Sequence, residues 1–166
     1  MADGFSFADA AGIPKIPATA VRVGVDRRTG KILQGWDHVE QSIASILSTR
    51  FHERILREWV GSFVPHMLGE SATPEVISRH FWAIATAVSL FEPCYRITRV
   101  RLRNPEALDS EEAIEAAVDR LRSGHLQYWL EGVYMPRGHL GDFTPEGRRS
   151  VGLIDRGGGI WDRASA

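Results

Sequence analysis

Residues 74–103 read PEVISRHFWAIATAVSLFEPCYRITRVRLR, and the hydrophobic period of the chain changes within this stretch. Before Glu92 the apolar residues recur at the spacing of a helix with one buried face, namely Ile77, Phe81, Ile84, Ala85 and Val88. After Pro93 the residues alternate as in a strand, with one face formed by Thr98, Val100 and Leu102 and the other by Arg99, Arg101 and Arg103. Ile97 is out of phase with Val100, so we expect a bulge or a strand start near Thr98. The stretch predicts a helix that runs directly into a strand.

The ends of this predicted helix carry recognisable signals. Thr73 is a suitable N-cap, Pro74 fits the first turn, and Glu75 lies near the positive end of the helix dipole. Pro93 cannot continue a helix, so the helix ends before it. Glu92 then follows a helix C-terminus, where the dipole disfavours a carboxylate unless a cation compensates it.

Upstream of this stretch the sequence predicts a hairpin and a second helix. Residues 21–33 alternate apolar and polar side chains around the turn sequence DRRTG, as in a β-hairpin. Residues 37–51, DHVEQSIASILSTRF, have the pattern of an amphipathic helix with an apolar face of Val39, Ile43, Ile46 and Leu47. Asp37 could cap this helix, with Glu40 three residues on as in a capping box.

Downstream, residues 109–124 predict a third helix, and residues 126–135 predict a strand that is apolar on both faces. The predicted fold class is α+β: a small mixed sheet of about three to four strands packed with two to three helices.

The two ends of the chain lack a hydrophobic period. Residues 1–20 are rich in Ala, Gly and Pro, and residues 137–166 are rich in Gly and Arg. We expect an N-terminal arm over 1–20, one domain over 21–136 and a C-terminal tail over 137–166. Both ends are predicted to be disordered in the isolated protein and to become ordered against other subunits.

Composition limits the possible partners. The 166 residues are 43% hydrophobic with a net charge of -1, so no basic excess indicates nucleic acid or an anionic membrane. No apolar run is long enough to span a membrane, and residues 1–12 lack the features of a signal peptide, so we expect an unsecreted protein without nucleic-acid or membrane partners. Cys94 is the only cysteine, which excludes an internal disulfide.

Metal, cofactor and catalytic motifs are weak. His38, His52, His66 and His80 are evenly spaced, but glycines and prolines between them prevent alignment on one helix, so we expect no metal site. The glycines at 157–159 lack the lysine of a phosphate loop, and no cofactor is expected. An alternative function is carbohydrate cleavage by two carboxylates, with Glu92 as one and Glu53 or Glu58 as the other.

Several pieces, taken in order, resemble one family. GVDRRTGKILQGWDHVEQSIASILSTR, FHERILREWVGS and LFEPCYRITRV are similar to the baseplate assembly protein W family of contractile phage tails, which includes type VI secretion baseplate wedge subunits. The resemblance covers roughly residues 21–135 and includes matches at Thr49, Glu53, Arg54, Gly61, Glu92 and Pro93. Two positions depart, because His52 stands where the family has glycine and Cys94 where it has the arginine of Glu-Pro-Arg.

The resemblance implies a structural virion protein and no enzyme. Family members lie in the baseplate at six copies around the tail, assemble in the host cytoplasm, bind the core bundle of the wedge near the tube and hub, and initiate assembly of the tail sheath. Some carry a lysozyme-like label, which keeps a peptidoglycan-cleaving enzyme as the alternative. The sequence does not distinguish a phage from a tailocin or another contractile injection system.

By this resemblance the partner-binding residues would be Glu92, Pro93, Arg96, Glu53 and Arg54. With Cys94 in place of the family arginine, we predict that Arg96 either pairs with Glu92 or reaches the wedge core bundle. The alternative is that Glu92 only accepts backbone N–H groups in the turn. We also predict that the sheath adds a strand to an open edge of a sheet built from residues 21–34, 96–103 and 126–135.

Overall fold

The computed structural model describes residues 21–67, 70, 73–102, 127–155 and 161–163. Two helices, α1 (Trp36–Ser48) and α2 (Pro74–Phe91), accompany two sheets. The strands are β1 (Val23–Val25), β2 (Ile32–Gln34), β3 (Tyr95–Leu102), β4 (Gln127–Tyr134), β5 (Gly147–Asp155) and β6 (Trp161–Arg163). The predicted α+β class is confirmed. Neither described helix is long and apolar enough to cross a membrane.

The main sheet has the strand order β3-β4-β5-β6, and each pairing in it is antiparallel where the sequence predicted a mixed sheet. Strands that are neighbours in the chain are neighbours in the sheet, so no crossover places two of them parallel. Ile97 pairs with Gly132 and Arg99 pairs with Glu131, which leaves Thr98 unpaired between them. The bulge predicted near Thr98 is confirmed.

The segment after Arg137 differs most from its prediction. Instead of a tail from residue 137 on, residues 147–155 form β5, which pairs with β4 along its full length. Val151 and Leu153 of this strand are buried in the core. The sequence signal is weak there because glycine and arginine surround these two apolar residues, and burial against β4 decides the conformation.

The hairpin of β1 and β2 forms a separate two-stranded sheet, although the sequence predicted that it would join the main one. The hairpin is short, and its apolar side chains Val23, Val25 and Ile32 are exposed. In the main sheet, β4 lies between β3 and β5, so the hairpin does not pair with it. The third predicted helix at 109–124 and the arm at 1–20 lie outside the described residues.

The two helices follow their predicted patterns with one correction. Thr73 caps α2, since its hydroxyl accepts from the Val76 backbone N–H at 3.3 Å. Asp37 is not the cap of α1: the N-cap is Gly35, two residues earlier, whose φ of 56° suits glycine, and Asp37 lies in the first turn. Glu40 does not form a capping box and instead accepts from Trp36 Nε1 at 2.8 Å.

The hydrophobic core lies between the helices and one face of the main sheet. Helix α1 packs against α2, and α2 packs against β3. The fully buried side chains include Val39, Ile43, Leu47, Ile84, Val88, Tyr128, Leu130 and Leu153. All four residues of the predicted apolar face of α1 are buried, whereas the buried stripe of α2 is turned toward His80, Ala83 and Ala87.

Candidate functional site

Glu92 is the C-cap residue of α2, and its side chain is almost completely buried, with 1% of the residue exposed. Arg22 Nη1 donates to Glu92 Oε1 at 2.5 Å, and the Cys94 backbone N–H donates to the same oxygen at 3.3 Å. The expected arginine is therefore present, but it comes from the hairpin. Arg96 is exposed and makes no ion pair with a described residue, so its predicted pairing with Glu92 is wrong.

Arg22 reaches Glu92 because the start of the hairpin is fixed next to the helices. The Gly35 N–H donates to the Arg22 carbonyl at 2.9 Å, so the residue just before α1 holds the residue just before β1. The ion pair then connects this junction to the end of α2. Glu92 is a structural carboxylate that joins three elements, and the predicted backbone hydrogen bond in the turn is present as well.

Other polar groups surround this ion pair. The His38 ring packs over Gly24, where a Cβ would lie 2.4 Å from the ring. Burial lowers the pKa of His38, and the positive charge of Arg22 lowers it further. Two buried atoms here, His38 Nδ1 and Glu92 Oε2, have no hydrogen-bond partner.

Cys94 lies in the same region, with its Sγ 3.5 Å from His139 Nδ1. Burial raises the pKa of the Cys94 thiol, so the pair does not offer the thiolate that a nucleophilic cysteine needs. Within the described ranges, no group of His, Cys, Asp and Glu side chains could hold a metal ion.

Pro93 is exposed, but its carbonyl is closely covered. A Cβ on Gly138 would lie 2.1 Å from the Pro93 oxygen, so only glycine fits at this contact. The Met135 N–H also donates to the Cys94 carbonyl at 2.8 Å. The turn after α2 is therefore held from both sides. Of the two predicted partner-binding residues in this turn, Glu92 is buried and Pro93 is exposed.

A second feature is the loop of residues 50–62, here called the 50–62 loop, whose two ends lie side by side. Arg50 and Ser62 form a parallel bridge, and the Ser62 N–H donates to the Thr49 carbonyl at 2.9 Å. The Ser62 hydroxyl donates to the Leu47 carbonyl at 3.0 Å. Gly61 is needed here because a Cβ would lie 2.7 Å from the Arg50 and Phe51 backbone. Closed ends of this kind define a compact Ω-loop.

Glu53 and Arg54, both predicted to bind a partner, hold the 50–62 loop in place. Glu53 Oε2 accepts from the Arg50 backbone N–H at 2.7 Å. Arg54 Nη2 donates to the Ser45 hydroxyl at 2.7 Å and to the Thr49 hydroxyl at 3.2 Å. His52, at the position where the resembling family has glycine, has a φ of 65°, a conformation that suits glycine best. The hydrogen bonds of Glu53 and Arg54 fix the conformation of the loop.

Three large apolar residues of the 50–62 loop point outward, and sequence reasoning missed them. Ile55 is 90% exposed, Leu56 is 89% exposed and Trp59 is 66% exposed. Single exposed apolar residues are ordinary, but three large ones within five positions of one loop indicate a contact surface. The sequence of this segment suited a short helical piece, and the signal that was available is only that these residues lie between the helix end near Thr49 and the chain breaker Gly61.

No protein-family model matches the chain, and no curated protein matches it. Among solved structures, the chain is similar to a chain in the cryo-EM structure of the postcontracted baseplate of pyocin R2. The two chains are 26% identical, with a TM-score of 0.50, and the match covers 68% of this chain and 98% of that chain. The likeness thus extends over nearly the whole pyocin protein.

Proposed function

We propose that this protein is a structural component of the baseplate of a contractile tail. The observation that carries the proposal is the likeness to the pyocin R2 baseplate chain, which spans 98% of that chain. The 50–62 loop supports the same function, because an assembly subunit needs apolar surface that a neighbour can cover. Its location is then the baseplate of the tail, assembled in the host cytoplasm.

A finer proposal follows from the resemblance of the sequence to the W family: the protein belongs to the baseplate wedge, binds its core bundle and initiates assembly of the sheath, with six copies around the tail. The apolar side chains of Ile55, Leu56 and Trp59 are a suitable contact for the core bundle, since aromatic and large aliphatic residues supply most of the energy of protein interfaces. Glu53, Arg54 and Glu92 contribute indirectly by holding the surfaces that bind.

Sheath contact is proposed at the edge of β3. Within the part of the chain that the structure describes, β3 pairs only with β4, and its other edge pairs with no described strand. Such an edge accepts an added strand from another chain. Arg96 and Pro93 lie along or just before this strand, and both are exposed.

Deletion of the gene in cells that produce the particle tests the baseplate role. We expect tail tubes without baseplate and sheath, and restoration of complete particles by a copy of the wild-type gene. Complementation with Ile55→Ser, Leu56→Ser and Trp59→Ser combined should fail, although the purified variant unfolds like the wild type because these side chains are already exposed. Complete particles from the deletion strain would contradict the proposal.

The proposal includes no catalytic step. Glu92, the carboxylate considered for glycoside cleavage, is buried and paired with Arg22, so a polysaccharide does not reach it in this conformation. A turnover assay on peptidoglycan addresses the enzymatic alternative directly. Activity that disappears in Glu92→Gln while the variant remains folded would support the enzyme.

A further inference from the structure

The outer face of the main sheet, which points away from the helices, collects arginines from two strands. In β3, Arg96, Arg99 and Arg101 are exposed, while Tyr95 on the other face is buried. The register places Arg96 opposite Val133, and Val133 opposite Arg148 of β5. Since residues paired across antiparallel strands project to the same face, these four arginines share the outer face. It is defined here as Arg96, Arg99, Arg101, Trp129, Glu131, Val133, Arg148, Ser150 and Asp162.

The positive charge of the outer face is not balanced by the described residues. Its acidic residues are Glu131 and, by the register of β6 opposite Ile154, Asp162. Glu131 Oε1 lies 3.3 Å from Arg101 Nε. Arg96, Arg99 and Arg148 form no ion pair with a described residue. Four arginines minus two acidic residues, Glu131 and Asp162, leave a charge of +2 on the face, in a chain whose net charge is -1. Like charges that share one face repel each other, and an anionic partner would relieve this repulsion.

The aromatic content of the outer face favours an acidic protein over a nucleic acid. The face has a single aromatic residue, Trp129, whereas sheets that bind single strands stack successive bases on several aromatic side chains. Arginine pairs with carboxylates in a two-pronged geometry, so Asp and Glu side chains meet the requirement equally well.

The geometry of β3 indicates how such a partner would lie. A strand added to the edge of β3 that pairs with no described strand would project every second side chain onto the outer face, next to Arg99 and Arg101. A second copy of this chain does not suit, because pairing β3 with another β3 would bring arginines next to arginines. The complementary segment has a carboxylate at every second position.

We propose that β3 binds an extended segment of a partner protein whose Asp or Glu side chains alternate along the chain and pair with Arg96, Arg99 and Arg101. The inference rests on the strand addition proposed above and adds the chemistry of the segment. It does not depend on which particle contains the protein, so it can be tested with the purified full-length chain, apart from the test of baseplate assembly.

The probe is a fluorescent synthetic peptide that alternates threonine and glutamate over the length of β3. We expect it to bind in a fluorescence anisotropy assay, more weakly as salt rises, and to slow hydrogen exchange of the β3 amides. Three competitors are compared: a threonine–lysine peptide, a peptide of the same composition with its glutamates clustered, and a single-stranded oligothymidylate. The alternating acidic peptide should be displaced poorly by all three.

Matched variants locate the site. Arg99→Gln combined with Arg101→Gln should weaken binding by about tenfold, because two partly exposed ion pairs are lost. Arg57→Gln, an exposed arginine of the 50–62 loop without an ion pair to a described residue, should bind like the wild type. The glutamine substitutions keep most of the side chain, and thermal melting checks that the variants fold.

Each alternative outcome overturns part or all of the inference. Equal binding of the lysine peptide, or no binding of the acidic peptide, overturns it entirely. Equal binding of the clustered peptide overturns the strand register, and stronger binding of oligothymidylate makes the face a nucleic-acid surface. None of these results bears on whether the deletion strain forms baseplates, so the two proposals fail separately.

Discussion

The Glu92 turn and the 50–62 loop both contain charged residues that the family resemblance assigned to partner binding, yet the two regions are built in opposite ways. At the turn, the Glu92 carboxylate is buried, and its ion pair with the partly exposed Arg22 joins the hairpin, α1 and α2. In the loop, Glu53 and Arg54 make hydrogen bonds within the protein, and the apolar side chains are exposed. Damage to the turn should therefore cost stability, and damage to the loop surface should cost assembly.

The largest effect is expected from Arg22→Met. The substitution leaves the Glu92 carboxylate buried without a cation, and removal of one partner of a buried ion pair costs about 3 kcal/mol or more. Urea unfolding of the purified protein measures the loss. Arg27→Met, at an exposed arginine of the same hairpin, is the matched control and should change the free energy of unfolding by less than about 0.5 kcal/mol. Equal effects of both variants would show that the ion pair does not hold the turn.

A smaller loss is expected from Gly61→Ala, which breaks the closed end of the 50–62 loop. The new methyl group would meet the Arg50 and Phe51 backbone, and a forced backbone shift of this kind costs about 1 to 3 kcal/mol. Gly147→Ala is the control, because a Cβ at that position meets nothing within 4 Å. Limited proteolysis should cut the Gly61 variant within the loop and leave the control intact. An uncut, fully stable Gly61 variant would mean that the loop tolerates open ends.

A third, smaller effect depends on pH and involves two histidines, of which His38 lies beside the Glu92 turn. Burial and the charge of Arg22 lower the pKa of His38 in the folded protein, while the unfolded chain takes up the proton near the ordinary value of 6.5. Burial also lowers the pKa of His80. For each histidine, the unfolded state binds more protons than the folded state at pH values between the lowered pKa of the folded protein and 6.5. The contribution to stability is therefore complete above about pH 6.5 and decreases as the pH falls below it.

Urea unfolding at a series of pH values tests this expectation. The wild type should lose stability steadily below pH 6.5, and His38→Gln combined with His80→Gln should reduce the slope in this range. Asp26 and Asp142, whose carboxyl pKa values are lowered mainly by hydrogen bonds, act only nearer pH 4, in a separate range. A wild-type profile that is flat from pH 8 to pH 5 would contradict the prediction.

The smallest effect on stability, and the sharpest contrast with the turn, is expected from Trp59→Ala. The side chain is 66% exposed, so the free energy of unfolding should change by no more than about 0.5 kcal/mol, while particle assembly is lost. Trp82→Ala is the matched control, since Trp82 is equally exposed but lies on α2, outside the loop. Normal assembly with Trp59→Ala would remove the loop tip from the proposed interface.

The sequence predicted the elements that have a strong local pattern. The apolar face of α1, the cap of α2 at Thr73 and the bulge at Thr98 follow from spacing and turn chemistry over a few residues. It failed for β5, whose Val151 and Leu153 are too few to give a period, so that only contact with β4 reveals the strand. Local patterns do not contain information about pairing between distant segments.

In the candidate site, too, the sequence predicted what local spacing determines and missed what contacts between distant segments determine. The helix dipole predicted that Glu92 needs an arginine, and this requirement is met. The identity of the arginine was wrong, because Arg96 is close in sequence whereas Arg22 is brought near only by the folding of the hairpin against α1. The outward direction of Ile55 and Trp59 likewise depends on two hydrogen bonds that no spacing rule specifies, one accepted by Glu53 from the Arg50 N–H and one donated by Arg54 to Ser45.

The pairing of Leu102 with Tyr128 gives the protein a place where foreign sequence can be inserted. Residues paired across antiparallel strands lie about 5 Å apart, so the chain leaves β3 and returns to β4 at nearly the same point. Domains whose own termini lie close together fit such a gap, and lengthening a connection costs only about 0.6 kcal/mol per doubling. A fluorescent protein inserted at residues 104–108, before the helix predicted at 109–124, should therefore leave the main sheet intact, and would allow the protein to be followed by microscopy without a tag at either end.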